Sequence, residues 1–212
     1  MIDKKYWDTF YEKNFSLSEP SSFAIFCKEN FLNDKQHSIL EFGCGNGRDA
    51  FYFAENNFNV IAVDSSSKAI EANNSNLKES PLDKNLSFVA GNIKPLIKTT
   101  KGQYNVIYSR FTLHAVKEKL EDKIINLSYK NLPKGGMFLL EFRTINDPLM
   151  NKGDAISKYE RVTSHYRRFI KSSKFVKKCI NAGFQLKYFI EKDNLSVYKE
   201  DNPVLARVVL VK

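Results

Sequence analysis

The chain is short of several residue types, and each shortage removes a class of answer. Its 212 residues include three cysteines, Cys27, Cys44 and Cys179. They are odd in number, far apart and in no CxxC pair, so neither a disulfide framework nor a zinc site is supported, and all three are expected to be reduced thiols. Six prolines and nine glycines are spread along the chain without forming a linker, and no internal repeat or low-complexity segment divides it. No apolar run approaches the ~18–20 residues that span a bilayer. The opening MIDKKYWDTFYEKN has aromatics and acids where a signal peptide carries its apolar stretch. We therefore expect one cytoplasmic domain over residues 1–212, without membrane insertion.

What is present suits a domain with a sizeable core: 42% of residues are hydrophobic, 27% charged and 13% aromatic. Lys and Arg total 33 against 24 acids, a net charge of +9 that favours an anionic partner without forming a polybasic block. Apolar runs bounded by Gly, Asn or Pro alternate with stretches of three-to-four-residue apolar spacing. The pattern predicts helices near 4–13, 21–31, 48–55, 67–77, 118–131 and 174–182. Strands are predicted at 38–42, 59–64, 86–90, 104–109 and 137–143, and a C-terminal hairpin at 184–191 and 204–211. Such βα repeats make a parallel sheet covered by helices on both faces, with ligands beyond the carboxyl ends of the strands where strand order reverses. The strand at 38–42 is the natural switch point. Residues 144–171 read as an irregular stretch of 28 residues, well beyond the ~12–15 at which structureless loops become uncommon and usually functional. Their place after a strand's carboxyl end predicts a cap over the ligand crevice.

The most informative segment is Glu41-Phe42-Gly43-Cys44-Gly45-Asn46-Gly47-Arg48. It ends a strand, turns through three alternate glycines and begins a helix. Without Cβ atoms the main chain turns tightly and a ligand approaches it, while the helix N-terminus offers unpaired N–H groups. The next strand ends in Asp64, a carboxylate able to accept from both hydroxyls of a ribose. A dinucleotide fingerprint would place its third glycine at position 48, where this chain has Arg48, and Glu41 would repel a pyrophosphate. A carboxylate there suits a cationic cofactor. Cys44 reads as a small filler.

On these residues the chain resembles the class I S-adenosylmethionine-dependent methyltransferases, whose acidic-x-G-x-G-x-G motif is matched from Glu41 to Gly47, with the resemblance extending over about residues 7–211. The resemblance implies a Rossmann-like, doubly wound α/β fold: a seven-stranded, mostly parallel sheet with an antiparallel C-terminal strand and helices on both faces. It implies S-adenosyl-L-methionine as cofactor and S-adenosyl-L-homocysteine as product. The glycine loop would lie along the amino-acid part, Asp64 would hold the ribose, and Asn92, where the family more often has Asp, would contact adenine. Candidate cofactor contacts are thus Trp7, Glu41, Gly43, Cys44, Gly45, Gly47, Asp64, Ser65, Asn92, Ile93 and Ser109. The aromatics Tyr6, Trp7, Phe10, Tyr11 and Phe15 form either a core-packing helix face or, as N-terminal helices often do in the family, a lid within residues 1–33.

The acceptor side is less defined. Ser109-Arg110-Phe111-Thr112 stands where methyltransferases acting on exocyclic amino groups of bases carry Asp/Asn/Ser-Pro-Pro-aromatic, and no Pro-Cys nucleophile is present, which argues against nucleic acid. Only seven of the 33 basic residues are Arg. Guanidinium forks bind carboxylate or phosphate bidentately, so Arg110, Arg143, Arg167 and Arg168 are candidate ligands of a small anionic acceptor, with surface ion pairs as the plain alternative. His114, His165 and Tyr166 are the candidate catalytic groups. His114 reads as a base or a hydrogen-bonded scaffold residue, and His165 as a base or a donor to the acceptor. No metal is required. The expected reaction is O-methylation, or less favourably N-methylation, of a small phosphate- or carboxylate-bearing metabolite. A loose resemblance to small methyltransferases of bacterial surface-polysaccharide pathways points to a phosphorylated or nucleotide-linked sugar precursor. A homodimer is left open, as are a catalytically silent S-adenosylmethionine-binding subunit and a nicotinamide-dependent oxidoreductase.

Overall fold

The computed structural model describes residues 4–32, 37–78, 80–92, 95, 97, 100 and 102–212, so Ile93 lies outside the described residues. Six helices are described: α1 (Lys4–Asn14), α2 (Ser22–Phe31), α3 (Arg48–Glu55), α4 (Ser67–Lys78), α5 (Glu118–Asn131) and α6 (Ser172–Asn181). The strands are β1 (Ser38–Phe42), β2 (Asn59–Asp64), β3 (Leu86–Ala90), β4 (Val106–Arg110), β5 (Met137–Arg143), β6 (Asp154–Ser157), β7 (Glu160–Val162), β8 (Tyr166–Arg168), β9 (Gln185–Lys192) and β10 (Leu205–Val211). Seven of them form one sheet in the order β3-β2-β1-β4-β5-β10-β9. The first five are parallel, and β10 runs antiparallel to both β5 and β9. This is the doubly wound architecture expected from the βα alternation, with the strand order reversing at β1. No helix of the described residues is long and apolar enough to cross a membrane.

Alternation along each strand feeds two apolar layers. Ile39, Val106, Tyr108, Leu139 and Val209 face the layer that holds Phe23, Cys27, Ala50 and Phe53 from α2 and α3. Leu40, Ile107, Phe138, Leu140, Phe142 and Val208 face the layer built with Ile124, Phe175 and Cys179 from α5 and α6. The cysteines are thus buried thiols. At the α5–α6 contact, Lys178 Nζ bonds Glu118, Glu121 and Asp122 together, and hydrogen bonds from Lys174 first and then Lys178 hold the Glu118 carboxyl down to about 2.

Residues 144–171 depart from expectation. They carry a short 3-10 turn at Pro148–Asn151 and a separate antiparallel sheet, β6-β7-β8, rather than an irregular loop. Strands of three or four residues are too short to show alternation, and β6 is exposed along its length, so no apolar period marks it. The ends of the segment are tied together where Ile145 N donates to Ile170 O and Ile170 N to Arg143 O.

The sheet also contains a charged row. Arg110, Glu141 and Arg207 are directly opposite one another on β4, β5 and β10. Arg110 Nε donates to Glu141 Oε1 at 2.9 Å and Arg207 Nε to Oε2 at 2.7 Å, with the Glu141 side chain inaccessible. Arg207 lies over the Phe23 and Phe26 rings. Because both guanidinium groups are mostly buried, removing their shared acid strands two charges. Glu141→Ala is expected to destabilise the fold by about 3–5 kcal/mol, read from the denaturant midpoint at constant slope; a change below 1 kcal/mol would deny the row a structural role.

Candidate active site

At the carboxyl ends of β1, β2 and β4 lies a cavity of about 390 Å³. Its floor is the glycine loop, with Gly43, Gly45 and Gly47 all left-handed at φ 75°, 54° and 76°. Those angles are why L side chains are excluded, and a methyl group at Gly43 would overlap Thr112 Oγ1 while one at Gly45 would overlap the Tyr11 hydroxyl. Gly43 N and Cys44 N both donate to Val63 O, which ties the loop to β2.

Asp64 is locked from the other side. Its Oδ2 accepts from Gly45 N at 3.0 Å and its Oδ1 from Ser66 N at 2.8 Å, while burial raises its pKa against these bonds. Asp49, in the first turn of α3, is held by Ser21 N and Oγ at 2.7 and 2.8 Å and by the Tyr108 hydroxyl at 2.8 Å. Glu41 is different: it is 3% exposed, and its Oε2 has no hydrogen-bond partner among the described residues. Burial first, then Asp49 and Asp64, push its pKa well above 4.5. An unpartnered acid among acids, at a cavity wall, calls for a cation. A second cavity of about 40 Å³ shares Gly43, Asp64 and Thr112 with the first and adds Ser65 and Asn92. The donor and acceptor set fits S-adenosylmethionine: an ammonium beside Glu41, hydroxyls at Asp64, a flat ring by Asn92.

Helix α1 covers this floor. Asp8 accepts from Ser66 Oγ at 2.7 Å and Asn46 Nδ2 donates to Ser16 O and Ser18 Oγ, so the segment is pinned to the turn after β2 and to the glycine loop. Trp7, Phe10 and Tyr11 line the large cavity, and burial and Asp64 push the Tyr11 phenol upward. None of the α1 residues is fully buried, so its aromatic face covers a cavity rather than packing into the core.

Of the cofactor candidates, Trp7, Glu41, Gly43, Cys44, Gly45 and Asp64 line the large cavity, and Ser65 and Asn92 the small one. Gly47 and Ser109 line neither; Gly47 starts α3, and Ser109 Oγ donates to Phe42 O, bracing β4 against β1. The arginines separate. Arg110 lines the large cavity and lies 4.0 Å over the Phe111 ring, with Nη2 donating to Ser196 Oγ at 2.6 Å. Arg143, 5.7 Å from the same ring, is taken up by Asp147 and Asp201. Alternation along β8 splits the remaining pair. Arg168, with Tyr166, faces inward, is bound by Glu121 at 2.6 Å and by the carbonyls of Leu113 and Val116, and does not line the large cavity. Arg167 faces the opposite side, where Arg143, Tyr6, Asp201 and Asp147 are its electrostatic neighbours.

The catalytic candidates are likewise dispersed. The Tyr166 hydroxyl donates to Glu160 inside the small sheet, for the same reason of strand parity, and is not brought to the cavity. His114 is buried, its Nδ1 accepting from Arg143 N at 3.4 Å; burial and Arg143 hold its pKa well below 6.5, and it does not line the large cavity. His165 stands at the β7–β8 turn, its ring 4.8 Å from Tyr6 and 4.9 Å from Trp7.

Sequence reasoning missed Asp49, Phe111, Thr112 and the loop 193–204 between β9 and β10. Phe111 has φ 58°, an uncommon conformation for an aromatic that tends to mark functional sites, and no sequence signal announces it. The loop brings Tyr198 to the cavity and Ser196 to Arg110; its length between two strands was the available signal.

Residues 33–194 match the family described as methyltransferase domain. No curated protein matches the chain in sequence. Among solved structures, it is similar to an S-adenosylmethionine-dependent methyltransferase from Methanosarcina mazei (17% identity, TM-score 0.72, covering 84% of this chain and 93% of that one). It is similar also to the glycopeptide N-methyltransferase MtfA in complex with S-adenosylmethionine (16%, 0.66, 93% and 96%). The cyclase SpnF shares the fold at 11% identity, with TM-score 0.75 over 99% of this chain and 93% of that one. The family match, the switch-point cleft and the acid-rimmed glycine loop agree: the chain belongs to the methyltransferase domain family.

Proposed function

We propose that the enzyme methylates an oxygen of a small phosphate- or carboxylate-bearing metabolite in the cytoplasm, a phosphorylated or nucleotide-linked sugar precursor being the case in point. The observation that carries this reading is Arg110: it stands at the cavity wall, stacked on Phe111, and its Nη1 has no partner among the described residues. Arg167 adds a second guanidinium with no ion pair among the described residues, its pKa drawn down by burial and by Arg143. Arg110 on the Phe111 ring, and Arg167 within electrostatic reach of the Arg143 that flanks the same ring, suit an anionic acceptor.

When bound, S-adenosylmethionine supplies a methyl group already activated on a sulfonium. The chain then has to bind, align and dehydrate. Glu41 receives the ammonium, Asp64 the ribose hydroxyls and Asn92 the adenine edge. Arg110 and Arg167 hold the acceptor anion. Trp7 and Tyr11 on the lid and the cap formed by 144–171 exclude water. Where the acceptor is a hydroxyl, His165 is the imidazole nearest the lid and takes its proton.

Two outcomes test the assignment of roles. Glu41 binds its proton more tightly in the cofactor-free fold than in the unfolded chain, so that state loses stability as pH rises above 4.5 toward the raised folded value. Glu41→Gln removes the buried charge. It should raise the cofactor-free melting temperature at neutral pH while weakening S-adenosylhomocysteine binding by about ten- to hundredfold in calorimetry, the scale of one charged hydrogen bond. A variant that binds as tightly as the parent would remove Glu41 from the ammonium site. For the acceptor, turnover of labelled S-adenosylmethionine against a panel of neutral, phosphorylated and carboxylated metabolites should select the anions. Arg110→Lys, which keeps charge but loses the fork, should lower kcat/KM for the selected acceptor about ten- to hundredfold with cofactor affinity unchanged. Turnover confined to neutral acceptors would sink the anionic reading.

A further inference from the structure

The acceptor side contains one carboxylate that nothing in the fold requires. Arg143, at the end of β5 with its side chain 6% exposed, is already neutralised by Asp147, four residues on and 1% exposed, at 2.9 Å. It nevertheless takes a second carboxylate, Asp201, from the loop 193–204. Asp201 is 42% exposed, and a pair so open to water contributes little to stability. Arg167 lies within electrostatic reach of Arg143 and Asp201, and its Nη1 donates to the Thr163 hydroxyl. The pair also adjoins the cavity, because Arg143 flanks the same Phe111 ring that Arg110 stacks on and that lines the cavity wall. Tyr198, three residues before Asp201, lines the cavity too and is 70% exposed.

We propose that Arg143 and Arg167 form an oxyanion subsite of the acceptor chamber and that Asp201 is its internal occupant, displaced when the phosphate or carboxylate of the acceptor enters. This rests on the anionic-acceptor reading above and names its second anchor. Exchanging one carboxylate for another at Arg143 leaves the local charge balance unchanged, so the competition is set by tethering. A group on a short flexible loop acts at an effective concentration on the order of millimolar, which free anions must match. Displacement also releases the loop. Tyr198 and Asp201 hold each other through reciprocal backbone bonds of 2.9 Å, and Asn194 and Asn202 pair outside them, so Asp201 leaves Arg143 as part of a folded turn that takes Tyr198 from the cavity mouth with it.

Trp7, the sole tryptophan, stands 4.9 Å from His165 beside this subsite and reports on it. Inorganic phosphate and acetate are titrated separately into the full chain at fixed ionic strength, with chloride as reference, while Trp7 fluorescence and hydrogen exchange at 193–204 are followed. At least one of the two oxyanions should saturate with a midpoint in the millimolar range and speed exchange of the loop; which one does so distinguishes phosphate from carboxylate as the recognised group. Asp201→Asn should lower the midpoint about tenfold, and Arg167→Gln should raise it at least tenfold. If both oxyanions behave as chloride does, or if Asp201→Asn leaves the midpoint unmoved, the internal-occupant proposal is wrong. S-adenosylhomocysteine binding, measured in parallel on each variant, reports the cofactor site separately: its loss in the parent chain would strike the methyltransferase reading, not the subsite.

Discussion

Three carboxylates, Glu41, Asp49 and Asp64, are buried within a few residues of one another in space at the point where the sheet reverses. Burying one charge without compensation costs several kcal/mol, and three of the same sign cost more unless each finds donors. The surroundings are arranged to supply them. Asp64 takes two backbone N–H groups, one from the glycine loop, and Asp49 takes Ser21 and Tyr108. The loop's left-handed turns follow from this, because only that path brings Gly45 N to Asp64 while Gly43 passes beneath Thr112. Glu41 alone is left short of a donor. The cleft therefore keeps one buried acid beside two others, surroundings in which a further negative charge such as a pyrophosphate would be disfavoured.

A complementary arrangement stands on the other side of Phe111, where the excess is of guanidinium groups. Arg110, Arg143 and Arg207 rise from the three adjacent strands β4, β5 and β10, and each is bound by a chain carboxylate. Each also holds a piece of the loop 193–204: Ser196, Asp201 and the Leu195 carbonyl respectively. Sheet, acceptor wall and loop are thus one electrostatic unit. The chain spends its few arginines here because a planar fork can hold an acid on one edge and a loop atom on another, which an ammonium on a flexible stem does poorly.

How much of this was legible beforehand depended on the length scale of the signal. The seven strands of the main sheet lie within two residues of their expected positions: for the inner strands, such as β5 and β10, burial on both faces dictates long apolar runs bounded by turns. The glycine loop and Asp64 were legible because backbone geometry admits few alternatives there. Strands β6 to β8 were not, being too short, and in β6 too exposed, to carry a period. The same shortness hid the decisive fact about the arginines. Arg167 and Arg168 are equivalent as letters, and only the parity of a three-residue strand sends one to Glu121 and the other toward Arg143. Phe111 was invisible for a different reason: its left-handed backbone is imposed by the turn after β4 and contradicts its own preference.

The division between legible and illegible parts follows the division of labour in the reaction. The cavity lined by Glu41, Gly43, Gly45 and Asp64 is built from strand ends and the loop directly after β1, elements whose sequence is constrained by the sheet itself. Helix α1 and strand β6 lie outside that constraint: α1 buries no residue fully and β6 is exposed throughout. Such peripheral pieces can change without cost to the fold, which is how one scaffold serves a glycopeptide N-methyltransferase and a cyclase at sequence identities of 16% and 11% to this chain. A methyl donor that is already activated asks little of the protein beyond alignment and desolvation, so selection acts on the chamber's charge and shape. In this chain that periphery is held by its own acid and aromatic groups, Asp201 on Arg143 and Trp7 against His165, rather than by the apolar layers of the main sheet.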